Sequence, residues 1–192
     1  NYGYDFNNQL ITATTPTDTL AYAYDTDGIR VNRTLNGMVT RYLVDKNRSY
    51  AQVLEEHTIT GDPIASYTYG NDLLSQKRDT EVRYFHYDHL CSTRYLTDES
   101  EMVTDGYDYE AFGKPLLVSG STLNSYLFTG EQHDLETGLV YLRARYYNPS
   151  VGRFLTRDTW QGRQDEPITL HKYLYTNANP VAFLDPTGHS LM

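Results

Sequence analysis

A short aromatic motif recurs along the first 110 residues of this chain and restricts what it can fold into. Tyr2-Gly-Tyr-Asp5, Tyr22-Ala-Tyr-Asp25 and Tyr42-Leu-Val-Asp45 are spaced by 20 residues. Tyr67-Thr-Tyr-Gly70, Phe85-His-Tyr-Asp88 and Tyr107-Asp-Tyr-Glu110 follow after a longer gap. Self-similarity at this period marks a repeat architecture, in which each unit buries its apolar face against its neighbours. A unit reads as an aromatic strand, a polar turn such as Asp25-Thr-Asp-Gly28, and a second strand such as Ile29-Arg-Val-Asn-Arg-Thr-Leu35. Gly28, Gly37, Gly61 and Gly106 fall between the alternating segments, where glycine adopts positive φ at little cost. The pattern predicts an all-β fold, a long, curling antiparallel sheet of hairpins.

Composition agrees and excludes several functions. Of the 192 residues, 19 are Tyr against six Phe and one Trp. Tyrosine favours extended backbone and buries a ring while its hydroxyl stays hydrogen-bonded. A formal charge of −9 argues against a nucleic-acid surface or an anionic membrane, which need clustered Lys and Arg. The lone Cys91 excludes an internal disulfide. No stretch approaches the roughly 20 apolar residues of a membrane-spanning helix. The opening Asn1-Tyr-Gly-Tyr-Asp has no basic start before an apolar run and begins inside the repeat, as a piece of a longer protein would.

Beyond the repeats, the tail reads Gly138-Leu-Val-Tyr-Leu-Arg-Ala-Arg145-Tyr-Tyr-Asn-Pro-Ser-Val-Gly152-Arg-Phe-Leu-Thr-Arg-Asp158. It closes on Asn179-Pro-Val-Ala-Phe-Leu-Asp185-Pro-Thr-Gly188. This tail resembles the core segment that ends the repeat shell of bacterial Rhs proteins. The repeats resemble the Tyr-Asp (YD) repeats of that family, related to toxin-complex C subunits and teneurin shells; Tyr24-Asp25-Thr-Asp-Gly28-Ile-Arg30 is the best copy. The resemblance divides the chain into YD repeats over residues 1–118 and an Rhs repeat-associated core, or plug, over residues 119–192. It implies a β-shell that encloses a variable, toxin-like C-terminal segment. The implied partners are the protein's own upstream repeats and that segment, and the implied location is secreted or on the bacterial cell surface.

The resemblance also implies an aspartyl autoprotease that cuts the chain once, just after the Asp-Pro-x-Gly end. Matched residue by residue, its catalytic groups are Arg145, Asp158 and Asp185. Pro186 and Gly188 belong to the plug motif, and the cut falls between His189 and Ser190. The chemistry is coherent in its own right. Two adjacent carboxylates do not both ionise easily, so one keeps a proton while the other takes one from water. An arginine can hold a carboxylate ionised or steady charge growing on oxygen. Spacing alone places nothing together, because Asp158 and Asp185 are 27 positions apart, and Asp-Pro and Asp-x-x-Gly are also ordinary turn formers. The sequence departs from the family at His189, where leucine is usual, at Thr159 in place of proline, and at Cys91 in place of glycine.

His86, Asp88, His89 and Cys91 offer four metal-ligand types within six positions, but strand alternation sends them to opposite faces. No metal and no cofactor is expected. Breakers at Ser119-Gly-Ser-Thr and Asp134-Leu-Glu-Thr-Gly138 predict a linker over residues 119–137. One strand is predicted over residues 139–147, with Leu139, Tyr141, Arg143, Arg145 and Tyr147 on one face, and a short helix over residues 170–176. Strand alternation sends about half the tyrosines inward, and exposed aromatic rows can stack on sugars. Three readings therefore stay open: a single-turnover autoprotease, a purely structural shell, and a repeat that binds a cell-surface glycan or receptor.

Overall fold

The computed structural model describes residues 1–189 and is nearly all β. A 12-stranded antiparallel sheet runs in strict chain order, each strand paired with the next. Its first half is β1 (Tyr2–Tyr4), β2 (Leu10–Thr14), β3 (Thr19–Tyr24), β4 (Arg30–Leu35), β5 (Met38–Asp45) and β6 (Gln52–Thr58). The second half is β7 (Pro63–Tyr69), β8 (Leu73–Arg78), β9 (Glu81–Tyr87), β10 (Thr93–Thr97), β11 (Val103–Tyr109) and β12 (Pro115–Ser119). A four-stranded antiparallel sheet follows: β13 (Gln132–Asp134), β14 (Leu139–Leu142), β15 (Arg145–Asn148) and β16 (Arg153–Phe154).

The motif does three jobs, all of them in the copies at Tyr22 and Phe85. Its aromatics, two residues apart, share the packed face: Tyr22, Tyr67, Phe85 and Tyr107 are buried, with Tyr24, Tyr69, Tyr87 and Tyr109 partly buried beside them. The second tyrosine donates its hydroxyl to an earlier hairpin, Tyr24 to the Leu10 carbonyl at 2.5 Å, Tyr87 to Leu73 at 2.5 Å and Tyr109 to Thr93 at 2.9 Å. The aspartate then pins the turn. Oδ1 of Asp25 accepts from the amides of Asp27 at 3.0 Å and Ile29 at 2.9 Å, and Asp5, Asp88 and Asp98 do the same two and four residues on.

The same motif bends the sheet. Pairing slips by one residue at Gly3/Tyr4, Ala23/Tyr24, Leu43/Val44, Thr68/Tyr69 and Asp108/Tyr109, the second aromatic position or its equivalent. Such bulges sharpen the local right-handed twist, and their recurrence curls the sheet.

Both ends of the curled wall pack on one inner body. Leu10, Ala13, Leu20 and Tyr22 of the wall form a cluster with Leu139, Tyr141 and Tyr146. Wall residues from Val53 to Tyr107 gather round Tyr126 and Leu127. Val140, Leu142, Tyr147 and Phe154, on the other side of the small sheet, meet Phe128 and Tyr175. All four residues of β14 are therefore buried, alternating between two packed faces.

One buried ion pair locks the wall to the inner body. Arg30, 1% exposed, donates through Nη1 to Asp134 at 3.1 Å and to the Tyr146 hydroxyl at 2.7 Å, and through Nη2 to Gln132 at 2.8 Å. Its guanidinium carbon lies 4.3 Å from the Tyr141 ring centroid. Burial works to lower the Arg30 pKa, but Asp134 and the surrounding phenols hold it well above the ordinary arginine value.

Four local expectations are corrected. Gly106 lies inside β11, not in a turn, and only Gly28, Gly37 and Gly61 of the four take positive φ. The predicted linker contains β13. Residues 139–147 do not run as one strand: Arg143 takes φ 55° and the chain doubles back, β14 pairing with β15. Doubling back buries both halves, which one straight strand of this length beside the wall does not do. Residues 170–176 are not a helix; the short 3-10 turns fall at Pro167–Leu170 and Thr176–Ala178. The intervening backbone carbonyls are taken by neighbours instead, Phe154 N donating to Tyr173 O at 3.0 Å and Asp158 N to Lys172 O at 2.9 Å.

Candidate functional site

Arg145, Asp158 and Asp185 come from three separate segments and meet. Arg145 opens β15 straight after the turn at Arg143, so its side chain points into the inner body and is 5% exposed. Phe154 from the adjoining β16 lies beneath the guanidinium, its ring centroid 3.6 Å from the arginine carbon. Asp158 follows β16 in a loop tied to Lys172. Asp185 sits in the terminal turn and is 4% exposed. Nη2 of Arg145 reaches Asp158 Oδ2 at 2.7 Å and Asp185 Oδ2 at 3.8 Å, so one nitrogen faces both carboxylates. Nη1 donates to the Lys172 carbonyl at 3.2 Å. Burial pulls the Arg145 pKa down, and the two aspartates oppose it.

The terminal segment is fastened at this point. Asp185 Oδ1 accepts from the amides of Gly188 at 2.9 Å and His189 at 3.1 Å. Three consecutive residues of the β14–β15 turn hold three consecutive carbonyls: Arg143 Nη1 donates to Pro186 O, the Ala144 amide to Thr187 O at 3.3 Å, and Arg145 Nε to Gly188 O. Gly188 takes φ 77°, and a Cβ there would lie 2.3 Å from the Leu142 carbonyl oxygen, so only glycine fits this approach.

Sequence reasoning missed two groups. Arg143, read as a strand neighbour of Arg145, instead donates to Glu131 Oε1 at 2.8 Å and stacks 4.4 Å from the Tyr50 ring centroid while gripping Pro186. Burial raises the Glu131 pKa against the pull of Arg143. His189 was singled out only for the cut, yet its Nδ1 lies 3.0 Å from Asp158 Oδ1, which also accepts from the Trp160 amide at 2.9 Å. The Arg-Ala-Arg spacing was the available signal for Arg143; nothing local announces the His189 contact. Ser190, the other side of the expected cut, lies outside the described residues. Among the described residues, no group of three or more His, Cys, Asp or Glu side chains is placed to hold a metal ion.

A family profile described as Teneurin YD-shell matches residues 1–181. The chain belongs to the YD-repeat shell family. That match stops short of Asp185, so the terminal turn is outside it. This YD-shell chain is 37% identical over 173 residues to the tRNA3(Ser)-specific nuclease WapA of Bacillus spizizenii, covering 88% of the chain and 7% of that protein. It is 30% identical over 159 residues to double-stranded DNA deaminase toxin A of Burkholderia cenocepacia, covering 78% of the chain and 10% of the relative. The YD-shell fold also matches the crystal structure of TcdB2-TccC3, with a TM-score of 0.72 and 21% identity over 98% of this chain and 10% of that one. The chain thus spans a tenth or less of each of these proteins.

Proposed function

We propose that this YD-shell segment is wall and plug of a protein that encloses a toxin-like segment, and that Asp158, Asp185 and Arg145 cut the chain once between His189 and Ser190. The supporting observation is that these three side chains, from three separate segments, meet at residues 188 and 189: Arg145 holds the Gly188 carbonyl, Asp185 accepts from the Gly188 and His189 amides, and Asp158 faces the His189 imidazole. In the reaction, water oxygen bonds to the His189 carbonyl carbon while one carboxylate takes a water proton. The His189–Ser190 carbon–nitrogen bond breaks, and the other carboxyl supplies the proton that leaves with the Ser190 amine. Arg145 steadies the charge between the two carboxyl groups. The nuclease and deaminase toxins among the relatives support the cargo reading.

A second reading rests on the same contacts. An arginine held by two aspartates, two carbonyls and a ring is also a saturated clamp that keeps the terminal turn on the plug without chemistry. Intact mass separates the two. In the full-length protein, a product ending at His189 that is absent from Asp158→Asn and Asp185→Asn establishes aspartate-dependent cleavage. A folded, uncut wild type leaves the structural shell.

A further inference from the structure

Each carboxylate oxygen of Asp158 faces a basic side chain. Oδ2 is held by Arg145 at 2.7 Å, while Oδ1 meets Nδ1 of His189 at 3.0 Å. Whichever carboxylate acts first, Asp158 must carry a proton at some stage of the cleavage, as acid before the step or as base after it. Arg145 on one oxygen opposes that proton, and an imidazolium on the other would add to the opposition. We propose that His189 is a positioning residue for the proposed cleavage, its imidazolium holding Asp158 in the charged state and its neutral form releasing it, so that the residue beside the cut also sets when the cut is made.

The groups facing His189 fit this assignment. Its backbone amide donates to Asp185 Oδ1 at 3.1 Å and to the Thr187 hydroxyl at 3.2 Å, which fixes the residue while the imidazole turns back on Asp158. Arg145 is the opposing cation, and Asp158 and Asp185 are the facing carboxyl groups. Arg143 is committed to Glu131 and the Pro186 carbonyl, and the Lys172 amine to the Trp160 carbonyl, so neither replaces His189 at Asp158. The imidazole is 41% exposed and thus open to protons from solvent. The reaction is plain hydrolysis and needs no co-reactant beyond water.

This inference rests on the cleavage reading, and the test separates the two. Full-length protein is made in a short cell-free pulse, diluted into buffers from pH 5 to pH 8.5, and followed by mass for appearance of the product ending at residue 189. The wild-type rate is expected to fall by about fivefold or more toward pH 5, across the range in which imidazoles take up a proton. His189→Leu and His189→Gln are expected to lack that step, and His189→Lys, a permanent cation, to be slow throughout. Resistance to a general protease checks that each variant is folded. Cleavage with one shared pH profile in all four proteins overturns the His189 assignment and leaves the protease standing. Absence of cleavage in wild type and His189→Leu alike overturns both.

Discussion

Cys91 stands where the chain turns left-handed. It is three residues beyond Asp88, takes φ 61°, and occupies the position that Gly28 fills at φ 79° after Asp25. A side chain in this region costs roughly 1–2 kcal/mol, offset in part by the freedom glycine gives the unfolded chain. Cys91→Gly is therefore expected to stabilise the protein by up to about 1 kcal/mol, read as a higher denaturant midpoint at unchanged slope. A lower midpoint would mean that packing of the half-buried thiol outweighs the strain. Arg30 makes the opposite case. Arg30→Met leaves Asp134, 2% exposed, with Arg33 as its remaining cation and is expected to cost about 3–5 kcal/mol. Adding Asp134→Leu removes the stranded charge, and the double variant should recover most of that loss in the same unfolding assay.

At the scale of elements, the two edges of the wall differ. β1 is three residues long, whereas β12 carries Leu116, Leu117 and Val118 at 63%, 60% and 56% exposure along an edge that no described strand pairs. An apolar, unpaired edge without a charge in it invites strand addition. Leu117→Lys is expected to lower self-association, measured by light scattering over a concentration series, while an equivalent charge at exposed Met38, inside the wall, changes it little. The wall was legible in the sequence because its rule is local: tyrosines two apart share a face, and the aspartate that follows caps its own turn. The inner body obeys no such rule. Arg143 was misplaced because a strand and a hairpin share the same alternation until the chain reverses, and the reversal is decided by burial on both sides of β14. Residues 170–176 look helical alone and lose that form to backbone contacts with β16 and Asp158. The candidate trio was nameable by resemblance, but its meeting depends on that same hairpin reversal, which no local pattern encodes.

The molecule as a whole depends on the inner body staying packed in the wall, and acid should loosen it. Burial lowers the His133 pKa from 6.5 to about 4, with the ring accepting from the Phe128 amide at 3.2 Å as the neutral form. Between those values the unfolded chain binds a proton that the folded chain refuses. Stability from this group is full above about pH 6.5 and is lost as pH falls toward about 4, by about 3 kcal/mol in total. Glu131 works in the reverse sense, its raised pKa withdrawing stability as pH rises, and it is common to both proteins in a comparison with His133→Gln. That variant is expected to flatten the pH dependence of the unfolding midpoint between pH 6.5 and pH 4.5. An unchanged slope would place the acid sensitivity elsewhere.

The hold on residues 186–188 engages carbonyl oxygens, one from each of three successive positions. Such a grip is blind to lettering. The Thr187 carbonyl is held whatever side chain that position carries, while a single methyl group at 188 meets the Leu142 carbonyl oxygen. What the β14–β15 turn fixes at this junction is thus a path of the main chain.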